Sequence, residues 1–124
     1  TDENVSLNIP QADTVFLDTL YLGDADITDA GIAHLKGMTT LESLDLSLAD
    51  ITDDGISHLS QLSNIKYLWL NTPKVTDAGL LHIKGLMKID MLWLNSPKFT
   101  DAGLVHLEGL TNLRKLFSQQ QEFL

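Results

Sequence analysis

Apolar residues recur along this chain with a period that changes and then starts again. In "YLWLNTPKVTDAGLLHIKGL" (Tyr67–Leu86) they first alternate: Leu68 and Leu70 fall on one side, Tyr67, Trp69 and Asn71 on the other. That alternation predicts a short strand with one buried face. Apolar positions then fall at Leu80, Ile83 and Leu86, a spacing that predicts one face of a short helix. Thr76 stands where an N-cap belongs, and Asp77 places negative charge on the first turn, where the helix dipole favours it. Gly85 lies where a glycine releases the chain from a helix. Gly79, inside the helix, is expected to let its backbone approach the neighbouring segment closely.

The whole pattern returns every 24 residues without an insertion, in units that begin at Leu17, Leu41, Ile65, Ile89 and Leu113. The central strand leucines are Leu20, Leu44, Leu68, Leu92 and Leu116. The helix marks recur as Thr28, Asp29 and Gly37 and as Thr100, Asp101 and Gly109, while the second unit has Gln61 in place of the closing glycine. Such self-similarity predicts a solenoid in which each unit buries its apolar face only against its neighbours. The chain 1–124 then reads as a single domain: an N-terminal cap segment 1–16, full repeats 17–40, 41–64, 65–88 and 89–112, and a partial repeat 113–124. In the cap, "NVSLNI" (Asn4–Ile9) alternates and predicts an extra edge strand. At the other end "LRKLFS" predicts a fifth strand with no helix after it, and Phe123 falls near the apolar column of Ile27 and Phe99. Terminal repeats need a polar cover, so this end is expected to be closed by its last residues folding over it, by further chain, or by a partner.

Written as LxxLxLxxxxITDAGLxHLxGL, these residues resemble the leucine-rich repeat family, in particular its bacterial and F-box-associated repeats with the T-D-x-G-[IL] signature; the resemblance runs over about residues 17–117. It implies an α/β fold: a right-handed solenoid bent into an arc, with parallel strands on the concave face and short helices on the convex one. It also implies the family's common role, binding other proteins without catalysis. One column departs from the family pattern. Where the family places Asn, Cys or Thr after the strand, this chain has Ala25, Ala49, Pro73 and Pro97. None of these side chains can bond the turn, whose polar groups must be satisfied in another way.

If the repeated leucines face inward, the residues between them face outward. The central outward column is Tyr21, Asp45, Trp69, Trp93 and Phe117; before it stand Thr19, Ser43, Tyr67, Met91 and Lys115, and after it Gly23, Ser47, Asn71, Asn95 and Gln119. Five of the eight aromatic residues thus share one sheet face, with the two indoles side by side at the strand spacing of about 4.8 Å. Contiguous apolar surface marks contact sites, and Tyr and Trp dominate interface energetics. The candidate partner-binding residues are therefore Tyr21, Asp45, Tyr67, Trp69, Asn71, Met91, Trp93, Asn95, Lys115 and Phe117. A purely structural role competes with this, since cross-strand aromatic pairs contribute roughly 0.2–1 kcal/mol to a sheet. Two other occupants are open at this stage: a carbohydrate stacked on the tryptophans, and a second copy joined through the aromatic face or the C-terminal end.

Charge narrows the partners. A net charge of −9 disfavours nucleic acid and anionic membrane surfaces. The absence of cysteine removes disulfides and thiolate zinc sites, and leaves the compartment open. Two columns could mislead. His34, His58, His82 and His106 look like a metal ladder, but they are copies on a polar outer row with no carboxylate column to orient them, so no metal is assigned. Asp29, Asp53, Asp77 and Asp101 could suggest calcium, yet the helix dipole explains them and no ligand loop of the required spacing is present. A third column, Asp18, Glu42, Lys66, Asp90 and Arg114, alternates in sign from Glu42 onward and predicts pairs across strands. Catalysis needs unlike groups converging on one point, whereas a repeat supplies like groups in a row. The expected function is a non-catalytic interaction module that carries no cofactor.

Overall fold

The computed structural model describes residues 18–23, 26–47, 50–118 and 121–122. The segment Asn4–Ile9 and Phe123 lie outside these residues. Five strands alternate with short helices in chain order: β1 Thr19–Tyr21, α1 Asp29–Ile32, β2 Ser43–Leu46, α2 Asp53–Ser57, β3 Tyr67–Asn71, α3 Asp77–Leu80, β4 Met91–Asn95, α4 Asp101–Leu104 and β5 Lys115–Ser118. A two-residue strand, β6 (Gln121–Glu122), follows. The first five pair in parallel as β1-β2-β3-β4-β5, each strand one unit after the last, so the sheet is open and the fold is an α/β repeat solenoid. Against β5 the backbone of β6 runs antiparallel, with Phe117 opposite Glu122.

The core is the set of repeated apolar columns. Leu44, Leu68 and Leu92 are fully enclosed; Leu46, Leu70 and Leu94 sit beside them, and Ile32, Ile56 and Leu80 come in from the helices. Burying each such side chain is worth roughly 1.5–3 kcal/mol, so a unit that cannot close alone is held by the aliphatic layers of its two neighbours. The predicted sign alternation produces ion pairs between Lys66 and Glu42 (3.5 Å) and between Arg114 and Asp90 (2.5 Å). These pairs stand at the surface, where water screens them, so they support the register more than the stability.

The helices are shorter than their pattern suggested. A single α-turn passes into a 3₁₀ turn in three units, at Ala33–Leu35, Leu81–Ile83 and Val105–Leu107. None of Gly37, Gly85 and Gly109 adopts the left-handed conformation, and each has open space where a Cβ would stand. The helices therefore end without a left-handed glycine, and in the second unit, where α2 ends at Ser57 with no 3₁₀ turn after it, Gln61 stands at the equivalent place.

The Thr-Asp-x-Gly stretch has a tertiary purpose beyond the helix dipole. Asp29 accepts from the backbone N–H of Thr52 (2.8 Å) and from its hydroxyl (2.5 Å). Asp53 does the same with Thr76, at 2.8 and 2.5 Å, and Asp77 with the N–H and hydroxyl of Thr100. Each threonine hydroxyl in turn accepts from an N–H of its own helix, Asp54, Ala78 or Ala102. One unit's carboxylate therefore completes the next unit's N-cap, and a ladder of these contacts joins successive helices. The glycine makes room for it: a Cβ on Gly55 would stand 2.3 Å from Asp29 Oδ1, and one on Gly103 would stand 2.1 Å from Asp77 Oδ1. The close approach expected of Gly79 is real: a Cβ there would stand 2.6 Å from Oδ1 of the neighbouring unit's Asp53 and 2.5 Å from Val75 Cγ1 of its own unit.

The departure at Pro73 and Pro97 is answered one position earlier; Ala25 and Ala49 lie outside the described residues. Ser96, 1% exposed, donates from Oγ to the Val75 carbonyl of the preceding unit (2.8 Å) and accepts from Lys98 N (3.2 Å). Its counterpart Thr72 is fully buried, and among the described residues its Oγ1 has no hydrogen-bond partner. Two equivalent positions thus carry opposite costs. Ser96→Ala should lose about 1–2 kcal/mol, whereas Thr72→Val, which keeps the shape and removes an unpaired hydroxyl, should gain about 1 kcal/mol. Urea denaturation of the two variants checks both signs.

Candidate functional site

Strand register decides which outward side chains meet. Tyr21 pairs with Asp45, Asp45 with Trp69, Trp69 with Trp93 and Trp93 with Phe117, on five successive strands. The neighbouring column runs Thr19, Ser43, Tyr67, Met91 and Lys115 in the same register, and Asn71 faces Asn95. In β3 and β4 the leucines are enclosed and the tryptophans between them half-buried, so the indoles lie on the sheet surface and not inside the solenoid. Tyr67, Met91, Lys115 and Phe117 are likewise half-buried, Asn71 and Asn95 are exposed, and Tyr21 is 66% exposed. Gln119 lies outside the described residues.

Parallel strands place identical residues one strand spacing apart, close to the thickness of two aromatic rings in contact. The rings use it. The Trp69 and Trp93 ring centroids are 4.3 Å apart at 9°, and Phe117 continues the stack 5.1 Å from Trp93 at 8°. Both faces of Trp93 are therefore covered by neighbouring rings, and the column offers solvent the ring edges together with the outer face at each end of the stack. A groove of about 200 Å³ follows these edges, lined by Trp69, Trp93, Phe117, Asn71, Asn95 and Ser47. Apolar edges form its wall and amide groups its rim, a combination that can hold an apolar side chain while bonding a backbone.

The stack breaks toward the N-terminus. Asp45 occupies the column between Tyr21 and Trp69; its Oδ1 accepts from Ser47 Oγ at 2.8 Å. The ten candidate residues and the side-by-side indoles follow from the pattern; the face-to-face geometry of the rings and its continuation to Phe117 do not. Only the identical period of the two tryptophans hinted at that geometry.

The histidine column takes no part in this site. His34 is exposed and the other three are half-buried on the helix side; among the described residues no three His, Cys, Asp or Glu side chains are placed to hold a metal ion. A carboxylate does stand near one of them. The Thr100 hydroxyl and backbone N–H hold the Asp77 carboxyl below its ordinary range, and the charge of His106 favours the same form.

Comparison with protein families gives a match to the leucine-rich repeat over residues 37–60, a window as long as one period. Comparison with curated proteins gives no match. The matched unit, its in-register copies before and after it, and the parallel strands alternating with short helices together support reading this chain as a leucine-rich repeat protein.

Proposed function

We propose that the chain is a non-catalytic module that binds a protein or peptide segment across its strand face, centred on Tyr67, Trp69, Met91, Trp93 and Phe117. Leucine-rich repeats generally mediate protein–protein interaction, and the match over residues 37–60 supports a role of that class. The observation that carries the finer reading is the half-buried stack of Trp69, Trp93 and Phe117 beside the amides of Asn71 and Asn95. Stacked rings lose little further side-chain freedom when covered, so a partner gains their apolar edges at low entropic cost. The same stacking limits a sugar to the outer face of Trp69, because sugars lie on open indole faces and both faces of Trp93 are taken.

Panning a displayed peptide library on the intact chain tests this. Peptides selected by the wild type should bind Trp69→Ala/Trp93→Ala at least 30-fold more weakly, as expected for hot-spot residues worth roughly 2 kcal/mol or more. They should bind Val105→Ala, altered at an exposed helix-side residue, with unchanged affinity, and circular dichroism should show both variants folded. Equal binding by the folded double variant overturns the proposal. A second copy of the chain as occupant would appear as tryptophan-dependent dimerisation in light scattering and would also overturn it.

A further inference from the structure

Building on the binding-face reading, we infer that the break in the aromatic column, at Asp45 between Tyr21 and Trp69, is a receptor for an arginine side chain of the partner. One face of the Trp69 indole is covered by Trp93. Its other face looks toward β2, where Asp45 is its register partner, and beyond Asp45 comes Tyr21, 66% exposed. Two strand spacings separate the aromatic positions, about 10 Å, which leaves room for one planar group above the carboxylate. The flanking column is cut back at the same place. Gly23 and Ser47 stand where the later units carry Asn71 and Asn95, and Asp45 Oδ2 lies 3.9 Å from where a Cβ on Gly23 would be. A long residue at position 23 would stand over that oxygen. Ser47 occupies Oδ1, and the second oxygen is directed to this gap.

The chemistry that fits is a flat cation. A guanidinium stacks on an indole face, bonds a carboxylate through its edge, and sheds water more readily than an ammonium. The charge distribution favours the same partner. Residues 1–65 hold 12 of the 17 acidic side chains and one of the eight basic ones, Lys36. The half of the chain that contains this gap is therefore strongly negative, while residues 66–124 hold five acidic and seven basic side chains. A partner segment lying across the strands would place an arginine here and an apolar side chain along the Trp93 edge, so the two ends of the face read different residue types.

The test uses the intact chain and N-acetyl-arginine methylamide as probe, with its uncharged isostere N-acetyl-citrulline methylamide alongside, followed by NMR shifts of the Trp69 indole N–H and the Asp45 and Ser47 amides. The arginine compound is expected to shift these signals saturably at millimolar concentration, and the citrulline compound to leave them in place. Asp45→Asn should weaken the effect about tenfold, while Asp50→Asn, an exposed acid of the same unit paired with Lys74, should preserve it. Equal shifts from both compounds, or equal losses in the two variants, would reduce the effect to general charge attraction and overturn the inference. A chain that selects peptides through Trp69 and Trp93 yet ignores the arginine compound overturns this inference alone; one that selects no peptide overturns the binding-face reading beneath it.

Discussion

Gly103→Ala is expected to lower the unfolding free energy by about 2–3 kcal/mol, although alanine is the better helix former by about 1 kcal/mol. The collision decides the sign. A Cβ at residue 103 would stand 2.1 Å from Asp77 Oδ1, 2.6 Å from its Cγ and 2.9 Å from its Cβ. The whole aspartate side chain would have to move, and with it the bonds to the N–H and hydroxyl of Thr100. A thermodynamic cycle with Asp77→Ala isolates the contact. Once the carboxylate is gone, Gly103→Ala should cost less than half as much. Equal cost in both backgrounds would show that the glycine serves another contact.

The same junction makes a pH prediction. The Thr100 hydroxyl, then its backbone N–H, hold the folded Asp77 carboxyl below its ordinary value against the opposing effect of burial. A folded value below the unfolded one means that the stabilisation is complete above the unfolded value and is lost as pH falls through the folded one. The stability gap between the wild type and Asp77→Ala should therefore be constant near neutrality and shrink under acid. Denaturation midpoints at neutral pH and below about pH 4 measure it, and a gap that widened on acidification would contradict the assignment.

Leu68→Ala should cost about 3–4 kcal/mol, and Leu20→Ala, the same substitution in the same column, only about 1 kcal/mol. Leu68 is fully enclosed, with β2 and β4 on either side, so truncation leaves a cavity that neighbouring layers cannot fill by collapsing. Leu20, on β1, is only partly buried. It already has partial contact with water, and a shorter side chain leaves no sealed void. Chemical denaturation of the two variants measures the gradient. Equal losses would mean that the first unit is covered as fully as the third.

Much of the candidate site was legible before any coordinates. Alternation around Leu68 and Leu70 sent Trp69 and Trp93 to one face because side chains on a strand alternate strictly, and the 24-residue period set them in adjacent strands because nothing is inserted between units. The Asp column was legible only as charge on a first helical turn. That its partner is the threonine 23 residues later depends on how far apart consecutive helices settle, a distance that local pattern does not contain. Ser96 escaped for a related reason. The turn after the strand takes its hydroxyl from the position before the usual one, and a proline at the usual position reveals only what is missing.

The repeat, its period, the order of strand and helix and the identity of every outward column were determined by the sequence alone, because they follow from periodicity, which is a one-dimensional property. Tertiary structure alone decided that the indoles would spend their faces on each other and show solvent their edges, and that Asp45 would interrupt the stack beside Gly23. It also decided that α2, α3 and α4 would each be capped by a carboxylate from the unit before. All of these depend on the spacing between neighbouring units, which the packed aliphatic layers set and no single unit encodes.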